Sequence, residues 1–142
     1  MIILAQSNCT FQLLGPEVSG KLSPPATGSA SLANTQIRNL YLWFQGIFGS
    51  TLCPNYDVYW YSLYSGSSSD YLGSLSFYGS QPRGGQNPKG LSQKITIPSH
   101  LSQMMASELS SLGSLSLTFK SQEMSLHTYS VVIDRVYLCH AD

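Results

Sequence analysis

The sequence predicts an all-β fold: an antiparallel two-sheet β-sandwich, jelly-roll-like, with one short α-helix. Three observations carry this. Turn signals recur at short intervals, among them Gly15-Pro16, Pro24-Pro25, Pro54-Asn55 and Arg83-Gly84-Gly85. Short runs rich in β-branched and aromatic residues lie between them, which is the spacing of a sandwich or barrel. No alternation of strand and helix patterns and no internal repeat breaks the series, so residues 1–142 read as one domain.

The apolar run Met1–Gln6 reads as a first strand. As the tail of a signal peptide it lacks a basic flank and is short. Further strands are expected at Cys9–Leu14, Ser29–Ala33, Ile37–Phe44, Tyr56–Leu63, Asp70–Tyr78, Leu91–Ile97, Ser114–Phe119 and Tyr129–Cys139. Gly79–Gly90 is a polar Gly/Pro/Asn stretch and a long expected loop. One helix is expected over Ser99–Leu112. Ser99 follows Pro98 and can cap it, and Leu101, Met104, Met105, Leu109 and Leu112 recur as one apolar stripe. Gly113 supplies a left-handed stop. In the last strand Asp134 and Arg135 are neighbours, so alternation places them on opposite faces, each with a partner on another strand.

Charged residues make up 10% of the chain, against about 25% in ordinary soluble domains, and net charge is zero. Polarity comes instead from 25 serines with glycine, asparagine and glutamine. Such a surface resists self-association weakly. It suits a packed assembly or an extracellular, cell-surface or virion setting. The seven Lys and Arg residues are scattered, with no basic stripe for nucleic acid. No apolar run approaches the roughly 20 residues of a membrane span.

Chemistry is not signalled. His100, His127 and His140 fall in separate segments without metal-ligand spacing. No nucleophile elbow or phosphate loop occurs. The expectation is a chain that is not an enzyme, with no cofactor and no bound metal. The cysteines are Cys9, Cys53 and Cys139. An odd count leaves at least one unpaired. A Cys53–Cys139 or Cys9–Cys139 disulfide and three buried thiols are the open alternatives. Asn8-Cys9-Thr10 fits the glycosylation acceptor pattern.

The succession "NLYLWFQGI", "YDVYWYSL", "YLGSLSFYG", "KITIPSHLSQM", "SLSLTF" and "VVIDRVYL" resembles the β-sandwich domain that follows the catalytic domain in tyrosinase-like copper oxidases. The likeness is carried by Tyr56, Val58 and Tyr59, then Gly73, Phe77 and Gly79. It implies an accessory sandwich that packs against a partner. The six copper-binding histidines of that family lie in a helical domain, and none has a counterpart here.

"YDVYWYSLY" is aromatic at five of its nine positions. Tyr56, Val58, Trp60, Ser62 and Tyr64 face one way; Asp57, Tyr59, Tyr61 and Leu63 face the other. A sandwich core needs one face of each sheet, so one aromatic face is surplus. Ile37–Phe44 repeats the pattern. Tyr and Trp are interface residues. The candidates for a buried interface are Tyr41, Trp43, Tyr59 and Tyr61, with Trp60 in place of Tyr59 if the faces are reversed. The expected function is a non-catalytic structural or interaction module that forms a homo-oligomer or larger assembly, or docks on a partner. A carbohydrate-binding module is the alternative, with a glycan stacked on the aromatics. Loops Gly15–Ser31 and Gly79–Gly90 folded over the sheet are the plain alternative to either.

Overall fold

The computed structural model describes residues 2–25, 39–63, 69–123 and 129–140. The expected strand Ser29–Ala33, the first residues of Ile37–Phe44, Tyr64 and His127 lie outside the described residues.

Among the described residues, nine strands and one helix follow in the order β1 (Ile2–Ser7), β2 (Phe11–Leu13), β3 (Glu17–Ser23), β4 (Leu40–Gly49), β5 (Tyr56–Tyr61), β6 (Ser69–Leu75), β7 (Leu91–Thr96), α1 (Ser99–Leu112), β8 (Leu115–Ser121) and β9 (Val131–His140). The all-β expectation holds, with every pairing antiparallel. The hydrogen-bonded order is β6-β5-β8-β3-β1-β9-β4-β7, and β2 also pairs with β9. The link between the halves is short: β1 and β3 share Gln6↔Ser23 and Ser7↔Leu22. The two ends of the series meet, because a Cβ on Gly73 of β6 would lie 2.7 Å from Ile95 of β7. Gln93 of β7 also bonds the backbone of Ser76 at both its amide oxygen and nitrogen. The result is a sandwich close to a closed barrel.

Alternation fills the interior. Leu40, Leu42 and Phe44 of β4, Tyr56, Val58 and Trp60 of β5, and Leu115, Leu117 and Phe119 of β8 are buried. Phe119 stands edge-on to Phe44, with ring centroids 6.2 Å apart.

β3 overturns, for its own residues, the alternative in which Gly15–Ser31 folds over the sheet as a loop. Glu17–Ser23 instead fills the sheet between β8 and β1. Its inward positions are Val18, Gly20 and Leu22, too weak an apolar signal to announce a strand. Gly20 is required there, since a Cβ would strike the Phe11 ring.

The helix has the expected bounds and the left-handed Gly113 stop, at φ 73°. Two details differ. Ser99 does not cap it; the N-cap is Pro98, whose carbonyl accepts from the Leu101 and Ser102 amides. The stripe is also rotated. Leu101, Ser102, Met105, Ala106, Glu108 and Leu109 are buried, while Met104 and Leu112 are 48% and 45% exposed. The rotation follows from Glu108, which the core holds by hydrogen bonds. No helix among the described residues is long and apolar enough to cross a membrane.

Candidate functional site

Trp60 faces inward. It is 1% exposed, and its indole donates to Glu108. That removes Trp60 from the surface candidates and fixes the outward set on β5 as Asp57, Tyr59 and Tyr61. The outer face of the β6-β5-β8-β3 side is then three cross-strand rows. Tyr71, Tyr59, Thr118 and Ser19 form one; Ser69, Tyr61, Ser116 and Lys21 the next; Ser74, Asp57, Lys120 and Glu17 the third. Tyr59 and Tyr71 meet edge to face at 5.6 Å, and Lys120 lies 5.0 Å over the Tyr59 ring. Ser74 and Gln122 donate to Asp57 Oδ1 at 2.6 and 2.8 Å, and Tyr71 OH meets Ser74 Oγ at 2.7 Å. A shallow trough of about 540 Å³ runs beside these rows, floored by Ser19, Ser116 and Thr118 and walled by Tyr61.

Tyr41 and Trp43 lie on the opposite outer face, on β4. Across the strands, Trp43 stands between Lys94 and Tyr137, and Tyr41 between Thr96 and Cys139. The Trp43 and Tyr137 rings are 5.9 Å apart, and Lys94 reaches 5.1 and 5.3 Å over Tyr41 and Trp43. Tyr41, Trp43, Tyr59 and Tyr61 are all half-buried. Their neighbours on the same face supply part of that cover, as cross-strand pairs do. The four candidates therefore form two separate patches on opposite sides of the molecule.

All three cysteines are free, Cys9 exposed and Cys53 and Cys139 buried. Neither proposed disulfide fits. Cys139 lies opposite Tyr41 at the start of β4, and Cys53 lies beyond its end at Gly49. At about 3.3 Å per residue that separation is on the order of 30 Å, against roughly 7 Å for a bridge. Cys9 borders Asp134 and Arg135, well along β9 from Cys139. Burial pushes the Cys53 thiol up to about 11. It also pushes Tyr56 up to about 12, with the neighbouring Cys53 adding to the shift. Burial raises Cys139 as well, opposed by its Tyr41 hydrogen bond and by Lys94.

A third feature was missed by alternation. In β4, Phe44 and Ile47 both point inward; in β9, Ile133 and Val136 do. Each strand therefore carries one extra residue, and the two bulges face each other, so the register is unbroken from Leu40↔His140 to Gly49↔Val131. Asp134 and Arg135 accordingly share the outer side, which corrects the expectation of opposite faces. Asp134 binds Arg83 of the β6–β7 loop at 2.5 Å, and Arg135 donates to the Ser7 carbonyl of β1. Beside them opens a cavity of about 610 Å³ under that loop, with Gln45, Phe48, Arg83, Lys89, Asp134 and Arg135 in its lining. Here the loop does cover the sheet: Phe48 is 5% exposed, with the Arg83 guanidinium 4.2 Å above its ring. The signal was present in the sequence as two polar or small residues between apolar ones, in "FQGI" and again in "IDRV".

No group of three or more His, Cys, Asp or Glu residues that could hold a metal ion occurs among the described residues. His100 is exposed at the start of α1, and His140 ends β9.

No family model matches the chain, and no curated protein matches it in sequence. One solved structure shares its fold, and two others align more loosely. A latent tyrosinase from apple superposes with a TM-score of 0.52 at 14% identity, over 94% of this chain and 27% of the tyrosinase. The chain thus spans about a quarter of that enzyme's length. An exo-β-1,3-galactanase of Phanerochaete chrysosporium aligns over 94% of this chain and 27% of its own, at 14% identity and TM-score 0.39. An adhesin domain of Lys-gingipain from Porphyromonas gingivalis aligns over 87% and 64%, at 17% identity and TM-score 0.37. The tyrosinase likeness is one of fold, over a part of that enzyme.

Proposed function

We propose that this chain is a non-catalytic interaction module that docks through the outer aromatic patch of Tyr41, Trp43 and Tyr137, with a second copy of itself as the partner. The observation that carries the reading is the placement of Trp43. It is a half-buried Trp on the outside of a sheet, packed against the Tyr137 ring at 5.9 Å, with Lys94 5.3 Å over its own ring and 5.1 Å over Tyr41. Rigid aromatics bury area at low entropic cost, and a chain with 10% charged residues opposes association little. Sedimentation velocity across a concentration series tests it. The wild type should associate, and Trp43→Ala should shift association to at least tenfold higher concentration with unchanged circular dichroism. A wild type that remains monomeric throughout rules the self-docking reading out. The fold shared with part of a tyrosinase supports a variant of the same reading, in which the patch docks on an oxidase catalytic domain.

A second reading has its own observation. The Tyr59–Tyr71 row beside Asp57, Ser74 and Gln122 is the arrangement a neutral oligosaccharide needs, with rings to stack on and fixed polar groups beside them. Tyr71→Ala should abolish retention on an oligosaccharide matrix and leave sedimentation unchanged.

A further inference from the structure

We propose that the cavity at the paired bulges binds a sugar acid, a carboxylate carried on a hydroxylated ring. This site adjoins the Trp43–Tyr137 pair along β4 and β9 but shares no lining residue with either aromatic patch. The chain holds seven cationic side chains. Three of them, Arg83, Lys89 and Arg135, line this one cavity with Asp134 as its acid. Asp134 neutralises Arg83. Among the described residues Lys89 and Arg135 have no acidic partner; Arg135 has the Ser7 carbonyl at 3.2 Å. Two uncompensated cations therefore face one concavity in a protein of zero net charge, and they favour an anion there.

The geometry around them is built. The paired bulges turn two successive β9 side chains to the same side, as bulges beside binding sites do. Gly46 sits at φ 66° with Asp134 against it, and Gly90 at φ 73° brings the loop down on Ile47 and Phe48. Arg83 is clamped between Asp134 and the Phe48 ring, so the loop that carries Lys89 is tied to the sheet. A guanidinium suits a planar carboxylate. The rest of the lining argues for a ring rather than a bare ion. Gln45 and Ser92 offer polar side chains with no partner among the described residues, and Pro88 and Leu91 add apolar surface. The volume, about 610 Å³, falls in the roughly 300–1,000 Å³ range of small-molecule sites.

The experiment is a titration of the full chain with sodium D-glucuronate, sodium acetate and D-glucose, followed by amide shifts in a heteronuclear NMR spectrum. Glucuronate should bind at least tenfold tighter than acetate or glucose and move the amides of Gly46, Gly90 and Arg135. The double variant K89Q/R135Q, both exposed positions, should melt within a few degrees of the wild type and lose glucuronate binding at least tenfold. The proposal is overturned by any of three results: no binding by the wild type, acetate binding as tightly as glucuronate, or a folded double variant that binds glucuronate like the wild type. The variants leave Trp43 and Tyr71 untouched, so failure here is separable from failure of either docking reading.

Discussion

The indole nitrogen of Trp60 donates to Oε2 of Glu108 at 3.0 Å, deep between β5 and α1. The other carboxyl oxygen accepts from Ser62 Oγ at 3.0 Å and from the Leu63 amide at 2.9 Å. One side chain thus fixes the helix on the sheet and decides which face of the aromatic strand is internal.

Glu108→Ala should be among the most damaging single changes. It strands three donors, two of them on fully buried side chains, and each unmet buried partner costs about 1–3 kcal/mol. A loss of about 3 kcal/mol or more in urea unfolding is expected. Trp60→Phe, which removes one of the three donors, should cost about 1–3 kcal/mol from that bond, with added loss from packing. A Glu108→Ala loss below about 1 kcal/mol would show that α1 is held by its apolar contacts alone.

Alkali should unfold the protein through the pair Cys53 and Tyr56. Both are raised above their ordinary values, 9.0 to about 11 and 10.0 to about 12. The folded chain therefore keeps protons that the unfolded chain gives up. Stability is intact below pH 9 and falls as pH climbs from 9 to 12. Urea midpoints at pH 8, 10 and 11 should drop steadily, and Tyr56→Phe should flatten the decline above pH 10. Equal midpoints at pH 8 and 11 would contradict the burial of both groups.

The thiols should react in two classes. In native buffer one equivalent of an aromatic disulfide reagent should react at once, at exposed Cys9, and Cys9→Ser should remove it. All three should react in denaturant. Fewer than three in denaturant would restore a disulfide.

Much of this architecture was legible. The helix bounds follow from Pro98, the apolar spacing and Gly113, all local signals. Strands β4 to β9 follow in number and place from alternation between turns, although β4 runs on past the expected end at Phe44 to Gly49 and β6 stops at Leu75 short of the expected Tyr78. Three features depend on contacts distant in sequence or on broken alternation. β3 has glycine at its central inward position, so its burial shows only once Phe11 is across from it. The inner face of "YDVYWYSLY" depends on Glu108, 48 residues after Trp60. The cavity depends on two bulges in register, and strict alternation hides both. One extra residue at "FQGI" and at "IDRV" is what brings Asp134 and Arg135 to one side.

The bulges give the last prediction. Gly46 and Gly79 both have positive φ, 66° and 84°. They differ in surroundings. A Cβ on Gly79 meets nothing within 4 Å, whereas one on Gly46 would lie 2.7 Å from both Cβ and Oδ2 of Asp134. Alanine at Gly79 should therefore cost only the left-handed backbone term, about 1–2 kcal/mol. Alanine at Gly46 bears that term and must also displace Asp134, which holds Arg83 and the β6–β7 loop. Its expected cost is about 2–4 kcal/mol, within the range for strain at a special backbone position combined with overpacking. Hydrogen exchange should also separate them: in Gly46→Ala the amides of 83–90 should exchange faster than the rest of the sheet, and in Gly79→Ala those around Arg83 should keep their wild-type rates. Equal destabilisation by the two substitutions would mean that the paired bulges relax freely and do not position Asp134.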